Sequence, residues 1–443
     1  MNRKAIGVCA ISAVAIALSG CGGGGGQPKQ SEQAVGQATT KQAEPVELSL
    51  YVDLASELSE DEINEYIREP LKKKLPHITI GKAVYKGKGT ERDTLIAAGT
   101  FPDLTYTTST YIPQFRDLAI AQDLTALAKA NGFDFNKTYQ PVVMNTITTQ
   151  SAGKMMGMPF SDNWFGTFYN KDIFDKFGVA YPKDLMSYDD AIEISKKITR
   201  QDGGTQYIGL DARSTVAAAL GLSLPHIDPV TLKSNYNTEA FRPVFQLFKD
   251  LYAIPGQVGP KGETAWSSAG FFDTRNVGMY IHPVYAHVLK ALAVPDVKWD
   301  AVTVLNFKQA VGTEREPDYH LFMMSTTSKH QTEAFQVMAM LASEEVQRSM
   351  ARNGRIPAAL QFSQFQSDYA AKLPAIKDKN WAGIFKAKKR DMSVQTPYQT
   401  VASAVLATAN KRLATETIDV NTLMREIQAA ADAKIEEEKA KKK

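Results

Sequence analysis

Between Val46 and Thr107 the chain switches repeatedly between two apolar periods, and this alternation restricts the fold more than any other feature. Val46, Leu48, Leu50 and Val52 occupy every second position, the period of a strand. Ser59-Glu60-Asp61-Glu62 then reads as a capping box, with Ile63, Tyr66 and Ile67 on one face of the helix behind it. Pro70 is expected to end or kink that helix. His77 to Ile80 reads as a second strand, Glu91 to Ala98 as a helix closed by Gly99, and Leu104 to Thr107 as a further strand. Strands alternating with helices predict parallel α/β layering. Farther on, Ser187-Tyr188-Asp189-Asp190 is a helix start with Ala191, Ile194 and Ile198 on one face, and Tyr207 to Leu210 a strand. Ala334 to Met350 reads as one helix, and Thr400 to about Ala440 as one or two.

The N-terminus carries an address. Arg3 and Lys4 precede an apolar stretch from Ala5 to Leu18. That stretch is shorter than the roughly 20 residues a membrane-spanning helix needs, so it reads as a secretory signal over residues 1–20. Leu18-Ser19-Gly20-Cys21 resembles the bacterial lipobox, which implies cleavage before Cys21, a diacylglycerol on its thiol and, in some bacteria, a further acyl (palmitate-type) chain. Two or three chains on one residue anchor stably. Cys9, the other cysteine, lies in the segment to be removed, so no intramolecular disulfide is expected. Residues 21–45, with glycine from Gly22 to Gly26 and then Gln, Ala, Thr and Lys, read as a flexible tether. The expected location is the outer face of the cell membrane, extracellular and lipid-anchored.

From Val46 onward about 400 residues remain, enough for two domains. The chain is 44% hydrophobic and 22% charged, an ordinary globular balance. A net charge of +3, evenly spread, argues against nucleic acid as a partner. The Glu436–Glu438 run followed by Lys439 and Lys441–Lys443 reads as the solvated end of a helix. No metal site and no cofactor is expected: His282 and His287 are wrongly spaced around Pro283 for two ligands on one helix face. No phosphate loop, nucleophile elbow or paired cysteine occurs either. Carboxylates abound, and surface charge accounts for them better than a pair cleaving glycosides.

Five segments in order carry a resemblance. They are Ala97-Ala98-Gly99-Thr100-Phe101-Pro102-Asp103; Gly157-Met158-Pro159 through Tyr169-Asn170-Lys171-Asp172-Ile173-Phe174; Ser187-Tyr188-Asp189-Asp190; Phe271-Phe272-Asp273-Thr274-Arg275-Asn276-Val277-Gly278-Met279-Tyr280; and Ser343-Glu344-Glu345-Val346-Gln347 through Asn353-Gly354-Arg355-Ile356-Pro357. Together they resemble extracellular solute-binding proteins of the maltose-binding type (family 1), especially the substrate-binding lipoproteins of Gram-positive ABC importers. The third segment departs from the family's "T-W-d-E", and the fourth lacks its glycine near Arg275 or Thr274. The resemblance implies an α/β, two-lobed periplasmic-binding-protein-like fold of type II whose hinge has multiple crossover strands. Lobe one would take residues 46–158 plus 319–371, and lobe two residues 159–318 plus 372–443. Such a protein binds a ligand in its cleft as a monomer, closes by hinge bending and delivers the ligand to membrane permease subunits, with no catalysis.

Sugars present apolar C–H faces edged by hydroxyls, so their sites need aromatic platforms and directed polar groups. Trp164 follows Asp162 and Asn163 just past Met158-Pro159, where the family commonly places ligand contacts. Trp266 lies in a polar loop, and Tyr285 and His282 lie where the family often stacks an aromatic ring on sugar. Asp211 and Arg213 follow a strand and are candidates for gripping hydroxyls or an acid group; Arg213 or Arg275 would suit an acidic sugar. Asp53 and Glu57 follow the first strand's C-terminal end, where open α/β sheets place ligands. Tyr398 resembles the family's C-terminal stacking position, Trp381 is a further candidate, and Trp299 reads as structural. A carbohydrate importer component is the leading expectation. The rivals are a tethered glycan-cleaving enzyme and the ligand-binding module of a membrane sensor.

Overall fold

The computed structural model describes residues 44–441 except residue 55; the expected signal segment, Cys21 and nearly all of the expected tether lie outside the described residues. Among the described residues twelve strands form three sheets. The small one pairs β1 (Val46–Leu48) with β3 (Ile78–Ile80) in parallel. One five-stranded sheet runs β4 (Val84–Tyr85), β2 (Leu50–Val52), β5 (Leu104–Thr108), β12 (Tyr319–Met324), β6 (Met158–Asp162). The other runs β11 (Trp299–Val302), β7 (Phe165–Asn170), β10 (Val277–Pro283), β9 (Thr205–Asp211), β8 (Arg200–Asp202). Each is mixed: β2 is parallel to β4 and β5, and β10 to β9, whereas β12 and β7 run against their neighbours.

Each five-stranded sheet has its own hydrophobic core. Leu50, Tyr106, Phe160, Phe322 and Phe335 belong to one. Phe168, Ile208, Phe271, Trp299 and the C-terminal helices' Leu406 and Ile427 belong to the other. Beyond the helix Glu344–Arg352, Ile356, Phe365 and Tyr369 pack with the second core, well before residue 371. Gly354 at φ +77° turns the chain there, and the Tyr369 hydroxyl donates to its carbonyl at 2.8 Å.

Local signals mostly hold. Ser59 and Ser187 each form a reciprocal capping box, with Glu62 and Asp190 respectively. Ile63, Tyr66 and Ile67 are buried, and Gly99 adopts φ +64° after the helix Arg92–Ala97. Three expectations change. The alternating run from Val46 breaks at Ser49 into two strands of different sheets. Pro70 neither ends nor breaks its helix: a π turn over Asn64–Arg68, closed by the Glu69 amide on the Asn64 carbonyl, precedes Glu69–Lys74 and takes up the irregularity. The single helix expected over Ala334–Met350 is two, Gln331–Leu341 and Glu344–Arg352, because Ser343 turns extended (ψ 147°) to begin the second. Among the described residues no helix is long and apolar enough to cross a membrane.

Candidate functional site

Strand polarity points to the candidate site. β2, β4 and β5 end at one edge of the first sheet, where Tyr319 lies opposite Asp162 and His320 opposite Thr108. β9 and β10 end at one edge of the second, where Pro283 lies opposite Phe165. Asn163 and Trp164 alone connect Asp162 to Phe165, so the two C-terminal edges adjoin. In open α/β sheets ligands gather at such edges. Two further segments cross beside this connector: the Asn163 amide donates to the Asp318 carbonyl, and the Asp162 amide to the Ile356 carbonyl, each at 2.9 Å.

On the second edge Asp211, Arg213 and His282 line a hollow of about 250 Å³ together with Ser214 and Tyr280. Asp211 is buried and serves the backbone: its carboxylate accepts the amides of Arg213 (2.7 Å), Trp266 (3.0 Å) and Ser267 (2.8 Å). Those bonds hold Arg213 and Ser267 at φ +67° and +51°, a conformation costly for residues with a Cβ. Burial pushes the Asp211 carboxyl up, against those amides and the Arg213 charge. Burial, then the Arg213 charge, pushes the His282 ring down to about 4, so it is neutral at pH 7.

Beside this hollow Phe165 carries two guanidiniums, with Arg315 4.1 Å and Arg213 5.4 Å from its ring centre. Asp318, on the crossing segment, accepts from Thr108, from Ser109 (3.4 Å) and from the Asn163 side chain (3.2 Å). On the first edge Asp53 is buried and shared between Lys86 (2.9 Å) and Arg92 (3.1 Å), with Thr107 donating at 3.0 Å.

The other candidates have the following partners. Asp162 pairs with Lys389 and lines, with Trp164, a second hollow of about 350 Å³ that includes Gln140, Gln361 and Phe385. Trp164 is 7% exposed, packs edge-on against Phe385 at 5.3 Å, and its indole N–H has no partner among the described residues. The Tyr285 ring lies under the Arg355 guanidinium at 4.1 Å and its hydroxyl donates to Glu62 at 2.6 Å, joining the two cores. Glu57 offers its backbone carbonyl to Arg355 and to the Tyr106 hydroxyl. Trp266 is half-buried beside the Asp211 turn. Trp381 is core, its N–H donating to the Ile376 carbonyl at 3.0 Å, and Trp299 packs against it. Tyr398 packs on the second core with Lys439 5.9 Å from its ring. Arg275 pairs with Asp296 at 2.6 Å, at the opposite end of β10. The seven residues of β10 put it about 20 Å from the Arg213 edge.

Sequence reasoning missed Arg315, Asp318, Lys389 and Arg355. Arg315 sits in Glu314-Arg315-Glu316 and Lys389 in Lys386-Ala387-Lys388-Lys389-Arg390, runs that look like solvated surface. Pro317, just after the Arg315 run, and Pro357, two residues after Arg355, were the available hints of crossing chain; the Lys389 run had none beside it. Among the described residues no group of three His, Cys, Asp or Glu could hold a metal ion.

No curated protein sequence matches the chain. Among solved structures, the ABC substrate-binding protein Lmo0181 from Listeria monocytogenes, in complex with cycloalternan, superposes with TM-score 0.72 at 16% identity, covering 89% of this chain and 100% of that one. The cyclic α-maltosyl-1,6-maltose-binding protein of Arthrobacter globiformis gives 0.68 at 17%, covering 89% and 100%. The sugar-binding protein MalE of Xanthomonas citri gives 0.67 at 14%, covering 89% and 98%. At such identities these likenesses establish the fold: α/β, two-lobed and periplasmic-binding-protein-like. The family model for bacterial extracellular solute-binding proteins matches residues 58–348. Spanning well over half of the sequence, that match establishes that the chain belongs to the bacterial extracellular solute-binding proteins.

Proposed function

We propose that this protein captures a carbohydrate between its two lobes and hands it, chemically unchanged, to the permease subunits of an ABC importer. The lobes are the two cores and their sheets, and the binding surface is the pair of adjoining strand edges. Arg213 and His282 contribute from the second lobe, Asn163 from the connector and Asp53 from the first; Trp266 stands beside the turn that Asp211 supports. The observation that carries this reading is the gathering of directed polar groups and the Phe165 and Tyr280 rings at two strand edges joined by only two residues. Ligand bridging both edges favours the closed arrangement over the open one. The saccharide ligands named for the similar structures agree with it.

Capture rather than cleavage is favoured by the carboxylates themselves. Asp162 is committed to Lys389, Asp211 to three backbone amides, and Asp318 to Thr108, Ser109 and Asn163. A glycosidase needs two carboxyl groups free to address the scissile bond. We further propose that Cys21 is lipidated and that residues 21–45 tether a monomeric binding unit outside the cell membrane, following the lipobox and the glycine-rich segment.

The test is a thermal-shift and calorimetry screen against mono- and oligosaccharides. A true ligand at a hundred times its Kd stabilises the protein by about 2.7 kcal/mol. A screen in which amino acids or peptides shift the transition and saccharides do not refutes the carbohydrate reading. New products by mass spectrometry refute the binding-only reading.

A further inference from the structure

Arginine has five N–H donors, and a partly buried guanidinium that leaves them unused is unusual. Every other described arginine makes at least one side-chain hydrogen bond. Arg213 and Arg315 make none among the described residues, and neither has a carboxylate within ion-pair distance. Both lie over the same ring, Phe165; Arg213 lines the hollow of about 250 Å³, and Arg213, Arg315 and Phe165 together line a smaller gap.

We infer that Arg213 and Arg315 form an anion-recognition pair and that the saccharide taken here carries an acidic oxygen group, a uronate carboxylate or a sulfate ester. This rests on the sugar-capture reading and narrows it. The planar guanidinium matches two oxygens of such a group at once, and a second guanidinium doubles the charge that must be balanced. The surroundings do not balance it. Asp211 is consumed by backbone amides, and Glu314, beside Arg315, is pushed up to about 8 by burial and stays protonated at neutral pH. Asp318 and Glu316 are the remaining carboxylates nearby: Asp318 is held by Thr108, Ser109 and Asn163, and Glu316 accepts the Ser393 amide and is pushed up by burial. Across the gap the first edge is also cation-rich, one carboxylate (Asp53) serving both Lys86 and Arg92. Phe165 backs the pair with an apolar ring that keeps water from one face of each guanidinium, which strengthens the bonds made on the other.

The test is calorimetric titration of the full-length chain with matched sets: a uronic-acid oligosaccharide, its sulfated analogue and the carboxyl-reduced neutral form of the same backbone. At least one acidic member should bind about tenfold or more tighter than its neutral counterpart, and which member does so identifies the acid. Arg213→Gln and Arg315→Gln should each erase most of that preference, weakening the acidic member several-fold more than its neutral counterpart. Arg213→Lys, which keeps the charge but loses the fork, should retain part of it. Unchanged melting temperature of the unliganded variants checks folding. Equal or tighter binding of the neutral form, or equal losses for acidic and neutral forms in the glutamine variants, overturns the inference and leaves sugar capture standing. Binding of no saccharide of either kind defeats both.

Discussion

Arg355 offers the sharpest test of how the two halves are held. Its side chain is 1% exposed, yet it carries a charge. It donates to Glu62 at 2.7 and 3.1 Å, to the Tyr106 hydroxyl and Ser161 hydroxyl at 3.2 Å each, and to the Glu57 carbonyl. Glu62 also accepts from the Ser59 amide at 2.9 Å and from Tyr285, which stands on the helix Val284–Ala293 whose Val284 and Val288 belong to the second core. Arg355→Met keeps the stem and removes the charge, stranding a carboxylate that is 15% exposed; breaking a buried pair in this way costs about 3–5 kcal/mol. Glu62→Gln leaves the guanidinium its neutral acceptors and should cost about 1.5–3 kcal/mol. The double variant should be milder than the sum by about 1–3 kcal/mol, because each single change strands the other partner. Urea denaturation followed by circular dichroism reads all three. The pH dependence supplies a second arm. Burial disfavours the ionised Glu62, but the Arg355 charge and hydrogen bonds from Ser59, Tyr285 and Arg355 outweigh it and hold the carboxyl below its ordinary range. Its stabilisation is therefore complete above about pH 4.3 and is lost as pH falls through the lowered folded value, so the Arg355→Met penalty should shrink in acid. A penalty under about 1 kcal/mol at pH 7, or strictly additive variants, would refute the reasoning.

Three further outcomes follow from the same structure. Burial pushes His226 down to about 4, so between about pH 6.5 and 4 the unfolded chain binds a proton the folded one does not, and stability drops as the pH is lowered, by about 1.4 kcal/mol per unit; His226→Asn should flatten the measured slope by that amount. A Cβ at Gly209 would lie 2.4 Å from the Ser195 Cα and 2.6 Å from its carbonyl oxygen, so Gly209→Ala should cost about 1–3 kcal/mol in the same assay, and a neutral result would mean the strand and helix are looser than described. Lys389 stays protonated, held by Asp162 against the cost of burial, so Asp162→Asn or Lys389→Met alone should cost about 3–5 kcal/mol, and the two together should recover part of it by denaturation.

What could be read in advance was what is decided locally. Both capping boxes, the strand at Leu104 and the glycine turn at Gly99 depend on residues within one turn of each other, and all were legible. The break at Ser49 was not, because strands of two different sheets show the same alternation as one long strand. The division at Ser343 was hidden as well, because the apolar period runs on through it. In the candidate site, Arg213 was nominated because it follows a strand and His282 because the family resemblance pointed there, and both line one hollow. Arg315, Lys389 and Arg355 were not, because burial of a charge is a tertiary fact: nothing in a Glu-Arg-Glu or a Lys-Lys-Arg run says which cation will lie on Phe165 or beside Asp162. Trp381 shows the converse, an aromatic ring that chemistry nominates for sugar and packing claims for the core.

The central claim is that two lobes close on a guest. Small-angle scattering of the purified protein with and without a saturating saccharide tests it most directly. A compact unit of about 400 residues has a radius of gyration near ~21 Å, and hinge closure should lower it by on the order of 1 Å. A fall of that size on adding ligand is the predicted result; an unchanged radius with calorimetry showing full occupancy would contradict the account.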